Sequence, residues 1–186
     1  MGIHRIGRSQ LGAARRSQLG ALTSGLCEFL RPDEDLVNTV WSDEGGGTTD
    51  IYKSIDEVNA DDTDYIKHDV DPIPVKYRAG LSSASDPGTL ENHVIRVRWK
   101  WTGTNPPPGD PRIQVMVFDL SVPSLIHGEI GPARDTANVC NDESMTMSLL
   151  SAPDYTDIVV DLIVSTDKDF VDEIQISWFE IELPCS

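Results

Sequence analysis

Between His93 and Thr102 the chain alternates without interruption, with Ile95, Val97, Trp99 and Trp101 on one parity and Val94, Arg96, Arg98 and Lys100 on the other. A helix would scatter these residues around its circumference, whereas a strand gathers the apolar set on one face and the cationic set on the other. A chain built around such a segment must supply a second apolar surface to cover Ile95, Val97, Trp99 and Trp101. The stretch Arg112–Leu120, with Ile113, Val115 and Val117 opposed to Gln114, Met116 and Phe118, has the matching pattern and looks covered on both faces. Between the two strands, residues 103–111 carry Pro106, Pro107, Pro108 and Pro111. Proline has no ladder donor, so this stretch reads as a stiff hairpin loop.

The same reading finds strands at Leu36–Trp41, Ile51–Ile55, Asp64–His68, Val75–Ser82, Leu125–Ile130, Met145–Leu150, Asp157–Ser165 and Glu173–Leu183. The near-continuous apolar run Val159–Val164 marks a central strand buried on both sides. Turn signals separate the segments at Gly45-Gly46-Gly47, Asp86-Pro87-Gly88, Gly131-Pro132 and Ala152-Pro153-Asp154. Beyond the first 30 residues no stretch has helical periodicity. Many short antiparallel strands between regular turns predict an all-β domain over residues 31–186, a two-sheet antiparallel sandwich of jelly-roll type.

Charge divides the chain differently. The 186 residues carry a formal net charge of −16. Residues 1–27 hold Arg5, Arg8, Arg15 and Arg16 and no acid, so +4 sits on this arm, and 11 basic against 31 acidic residues leave −20 on residues 28–186. A body this acidic repels a phosphate backbone, which argues against direct nucleic-acid binding. No apolar run is long enough to span a membrane, and Arg15, Arg16, Ser17 and Gln18 interrupt what would be a secretory apolar region. Within the arm, Arg8-Ser9-Gln10-Leu11-Gly12-Ala13 recurs as Arg16-Ser17-Gln18-Leu19-Gly20-Ala21, a displacement of eight residues. In an extended chain that displacement returns both copies to one face, about 26 Å apart. Residues 1–30 therefore read as an extended anchoring arm, with Arg5, Arg8, Arg15 and Arg16 binding acidic surfaces or carbonyls and Leu11 and Leu19 filling small apolar pockets.

No constellation points to catalysis. His4, His68, His93 and His127 fall in no metal or hydrolase motif and read as solvated or strand-edge residues. Asp61, Asp62 and Asp64, followed by Asp69 and Asp71, could supply oxygen ligands to calcium, but the EF-hand pattern is absent, and a solvated acidic loop is the simpler reading. Asp142 with Glu143, and Asp167 with Asp169, are weaker pairs still. Cys27, Cys140 and Cys185 form no zinc spacing and are odd in number. They point to reduced thiols in a chain assembled in a cytosol, with a Cys27–Cys185 disulfide joining the ends of the body as the alternative. Trp99, Trp101 and Trp178 look like core, whereas Trp41 and Tyr155 look partly exposed and suited to stacking a sugar. The Arg96, Arg98 and Lys100 stripe has two readings, pairing with acids on neighbouring strands or an intersubunit contact. No metal, cofactor or catalytic residue is expected.

The pieces Asp50-Ile51-Tyr52-Lys53-Ser54-Ile55-Asp56-Glu57, Asp61-Asp62-Thr63-Asp64-Tyr65-Ile66, Ala79-Gly80-Leu81-Ser82 and Asp86-Pro87-Gly88 resemble β-sandwich structural modules of tailed-bacteriophage virions. The strand His93–Trp101 and the segment Asp154-Tyr155-Thr156-Asp157 before an apolar strand fit the same pattern, over roughly residues 36–183. The resemblance implies a non-enzymatic virion component, assembled in the host cytoplasm, of the capsid-decoration, neck or minor-tail kind, with other virion proteins as partners. A homo-oligomer, plausibly a trimer, is expected of such a projecting part. The second reading is a carbohydrate-binding or host-receptor-binding module for surface glycans, which predicts a groove among the loops at 42–49, 103–111 and 131–143.

Overall fold

A computed structural model describes residues 27–37, 40–69, 75–103, 111–149, 152–165 and 171–185. Eleven strands form two antiparallel sheets: β1 (Phe29–Leu30), β2 (Pro32–Val37), β3 (Ser42–Asp43), β4 (Ile66–Asp69), β5 (Val75–Leu81), β6 (His93–Gly103), β7 (Arg112–Asp119), β8 (Ser124–Ile130), β9 (Asn141–Met147), β10 (Ile158–Ser165) and β11 (Val171–Glu182). One sheet runs β3-β4-β11-β6-β9, with β1 also paired to β11, and the other runs β2-β5-β10-β7-β8. This is the all-β, two-sheet antiparallel sandwich that the alternation demands.

The core lies where the two apolar parities meet. From the first sheet come Ile66, Ile95, Val97, Trp99, Trp101, Ile174, Ile176, Phe179 and Ile181, and from the second Tyr77, Ala79, Ile113, Val115, Val117, Val160 and Leu162, each at most 1% exposed. Burying a large aliphatic or aromatic side chain contributes roughly 1.5–3 kcal/mol, so this interface is the main source of stability. The central strand β10 behaves as its sequence requires, since even Val159 and Asp161 on its outward parity are only 2% and 3% exposed.

Several elements differ from the sequence reading, each for a local reason. The strands β6 and β7 do not form the expected hairpin, because they belong to different sheets, and residues 104–110 between them lie outside the described residues. The apolar stretch Ile51–Ile55 is not a strand but a 3-10 helix, Ile51–Ser54, entered through Asp50 in the left-handed region at φ 54°. Both leading amides, Ile51 N and Tyr52 N, donate to the Asp35 carboxylate at 2.8 and 3.0 Å. The first long strand sits earlier than Leu36–Trp41, and β9 starts and ends earlier than Met145–Leu150.

Four side chains assigned to the surface are buried: Trp41 (1% exposed), Tyr155 (4%), His68 (5%) and His93 (0%). Trp178 moves the other way. The register between β11 and β6 shifts between Ile176 and Trp178, so the inward parity passes to Phe179 and Ile181 and the indole turns outward, where Nε1 donates to Glu57 O at 2.9 Å. The cysteines are corrected too. Cys27 and Cys185 are joined in a disulfide, while Cys140 is free. The arm residues Arg5, Arg8, Leu11, Arg15, Arg16 and Leu19 lie outside the described residues.

Candidate functional site

The cationic stripe of β6 is paired rather than free. Arg96 bonds Glu180 and Glu182 on neighbouring β11, and Glu180 also accepts from Arg31 at 2.8 Å. Arg98 grips Asp62 through Nε and one terminal nitrogen at 2.5 and 2.7 Å, and its other terminal nitrogen reaches Asp142. The Lys100 ammonium lies 5.8 Å from the Tyr65 ring centroid. Asp62 is held at about 2, chiefly by the hydrogen bond from Arg98. The acidic loop thus serves the stripe, and Asp61 closes its own turn through Thr63 N and Oγ1 at 2.9 and 2.7 Å.

On β9, beside the loop that follows β8, Glu143 is a buried carboxylate. It accepts Trp99 Nε1 at 3.2 Å and the Arg134 guanidinium through two bonds of 2.7 Å. Arg134 O in turn accepts Trp101 Nε1 at 3.2 Å. These bonds fasten the 131–143 segment onto the core. Among the described residues, the one group of three candidate ligand atoms close enough to share a metal is Cys27, Glu182 and Cys185, whose sulfurs are consumed by the disulfide.

The opposite side of the sandwich holds a cleft of about 380 Å³ lined by Val40, Ser42, Lys67, His68, Asp69 and Glu173. That lies within the roughly 300–1,000 Å³ typical of ligand sites. Two features set it apart from an ordinary surface depression. His68 Nδ1 lies 2.7 Å from Val40 O. A carbonyl only accepts, so Nδ1 carries the proton, and in the neutral ring Nε2 is left as an acceptor. That Nε2 is buried and has no partner. In addition, Asp69 and Glu173 sit directly opposite each other in the β4–β11 ladder. Like charges in that relation oppose strand pairing, and nothing in the sandwich requires them there.

The supporting wall explains why His68 is fixed. Its ring tilts against Trp41 at 5.6 Å between centroids, and Trp41 meets Tyr77 edge-on at 5.9 Å. Lys67 Nζ reaches Glu44 O at 3.1 Å, which holds the ammonium at the turn following β3. Gln175 Nε2 donates to Glu173 and orients that carboxylate. Of these residues the sequence reading singled out Trp41, His68, the loop from Ser42 onward and Asp69, the last only as an oxygen ligand for calcium. Asp69 and Glu173 are 104 positions apart, and only the strand register brings them together.

No protein-family model matches the chain, and no curated protein matches it. The chain is similar to several solved structures, two of which are these. An arabinose-bound α-L-arabinofuranosidase, MgGH51, has 9% identity and a TM-score of 0.40 over 86% of this chain, which covers only 26% of that protein's length. A xylan-binding module, CBM15, has 14% identity and a TM-score of 0.46, with 86% of this chain and 97% of that one covered. At these identities the likeness concerns the β-sandwich alone.

Proposed function

We propose that this chain is a non-catalytic recognition module whose β3–β4–β11 cleft binds a saccharide. The observation that supports the reading is the partnerless buried acceptor of His68 in a cleft whose wall also carries two opposed carboxylates, a hydroxyl and an ammonium. A sugar hydroxyl both donates and accepts, so a ring with neighbouring hydroxyls can donate to His68 Nε2 and to Asp69 or Glu173 while accepting from Lys67 or Ser42. A hydroxyl between Asp69 and Glu173 also relieves their like-charge opposition by donating to one of them.

The disulfide fits display outside a reducing cytosol, a setting that includes virion and cell surfaces. On this reading the arm, residues 1–30, attaches the module to its carrier, a tailed-phage particle in the case the sequence resemblance suggests. Deleting residues 1–22 then abolishes attachment and leaves saccharide binding intact.

The test is a glycan array probed with the full chain, followed by calorimetry on any hit. Binding is expected, with His68→Ala and Glu173→Ala each weakening it about tenfold, the loss of one or two hydrogen bonds to charged or buried groups, while the melting temperature stays within a few degrees. An array without hits overturns the saccharide reading, and release of reducing sugar from a bound glycan overturns its non-catalytic half.

A further inference from the structure

A sheet edge offers unpaired backbone donors and acceptors, and proteins commonly blunt it with proline, charge, bulges or brevity. Three of the four edges of this sandwich are blunted. The strand β2 opens at Pro32 and breaks register with β5 twice, β3 is two residues long, and β9 carries Asp142 and Glu143. The fourth edge, β8, is different. It pairs with β7 alone, with a single register shift between Val117 and Phe118, contains neither proline nor lysine and only one acid, Glu129, and leaves Leu125 and Ile130 41% and 57% exposed.

Near the middle of this open edge stands Gly128. Its φ is not among the positive ones, and a Cβ placed there would meet nothing closer than 3.8 Å. Nothing within the protomer therefore calls for glycine, although glycine weakens a strand. The usual remaining reason for a strand glycine is the close approach of another backbone. Its neighbours His127 and Glu129 share one face of β8 and lie within 3.4 Å of each other.

We infer that β8 is a homodimerisation edge, pairing antiparallel with β8 of a second copy about a two-fold axis at Gly128. A two-fold pair centred there places His127 opposite Glu129 of the partner subunit, and Glu129 opposite the partner's His127. Shifting the centre by one residue either way sets histidine against histidine or Glu129 against its own copy, so the side chains select the Gly128 register. At this point of an antiparallel ladder the facing Cα atoms come within about 4.5–5.5 Å, which two glycines meet without hindrance. Ile130 then lies across from the partner's Ile126, and the two five-stranded sheets become one continuous sheet. The cleft sits at the β3–β4 side, away from β8, so a dimer carries its two clefts at opposite ends and can engage a repeating ligand twice.

Sedimentation velocity on the full chain over a dilution series tests the inference. A species of twice the 20.5 kDa chain mass is expected. Gly128→Val and His127→Glu should each weaken association by about tenfold or more, the second by setting Glu against Glu129 of the partner subunit twice. The double change His127→Glu with Glu129→His restores the opposed pair and should restore the dimer. Thermal unfolding of each variant shows that the protomer is intact, and should any variant fail to fold, Ile130→Lys on the same edge gives the same readout. A monomer at every concentration overturns the inference, as does an assembly that these variants leave unchanged.

Discussion

Glu57 shows how one residue can carry a pH signature. Burial, followed by the neighbouring carboxylates, above all Asp64, pushes its pKa up to about 7 from an ordinary 4.5. The folded chain therefore holds a proton at pH 6 that the unfolded chain has released. A raised folded value contributes stability that is complete below about 4.5 and is lost as pH rises through about 7. Glu57→Gln is neutral in both states and lacks this dependence. Its melting temperature is expected to match that of the parent near pH 4.5 and to exceed it increasingly up to pH 7, with a constant difference above. Equal melting profiles across that range would contradict the assignment. The buried His93 works in the opposite sense, because desolvation lowers its pKa and the unfolded chain takes up its proton first as pH falls below about 6.5. The two groups are separable only by substitution, so the Glu57 variant, and not the bulk profile, isolates the effect.

At the scale of elements, Asp35 joins three pieces of chain. From β2 it accepts Tyr77 OH of β5 at 2.6 Å and the first two amides of the 3-10 helix. Asp35→Ala leaves those donors without their acceptor, at an expected cost of about 3 kcal/mol in chemical denaturation, whereas Tyr77→Phe, which loses one bond, should cost about 1 kcal/mol. An Asp35→Ala variant as stable as the parent would show that water replaces the carboxylate. The same element marks the limit of what the sequence discloses. The strand β6 was legible because ten residues of unbroken alternation outvote any local preference, and β7 and β10 because their apolar runs mark strands covered on both faces. Ile51–Ile55 was not, since five residues of apolar composition fit a strand or a helical turn equally, and the deciding acceptor lies sixteen positions upstream. Trp178 was misplaced by the register shift that moves it one parity over, and a bulge leaves no compositional mark in β11. Trp41 and Tyr155 read as surface residues in the sequence because their loop neighbours hide the fact that tertiary packing closes over them. The cleft was the least legible part: His68, Asp69 and Glu173 meet through strand register, which pairs residues far apart in the chain.

At the scale of the whole molecule, the decisive covalent feature is the bond between Cys27 and Cys185, 158 residues apart with Cα atoms 4.3 Å from each other. No spacing rule pairs cysteines at that distance. They meet because β1 docks on the end of β11, where Phe29 faces Glu182 and Leu183 N donates to Glu28 O at 2.9 Å. A two-residue strand at the start of the body has little hold of its own, and the disulfide ties it down. The bond also closes nearly the whole described body into one loop, so in the chain-entropy picture it restricts the unfolded state strongly, by up to about 5 kcal/mol, with measured losses for native disulfides spanning about 2–5 kcal/mol. For a chain of this size each kcal/mol moves the midpoint roughly 2–4 °C, so Cys27→Ser with Cys185→Ser is expected to lower the melting temperature by about 10 °C. Reductant should reproduce the shift in the parent and leave the double variant unchanged, because the third cysteine is free. The contrast separates loss of the cross-link from loss of the cysteine side chains. If reductant moves neither protein, the ends are held by the β1–β11 pairing alone and the disulfide contributes nothing to stability.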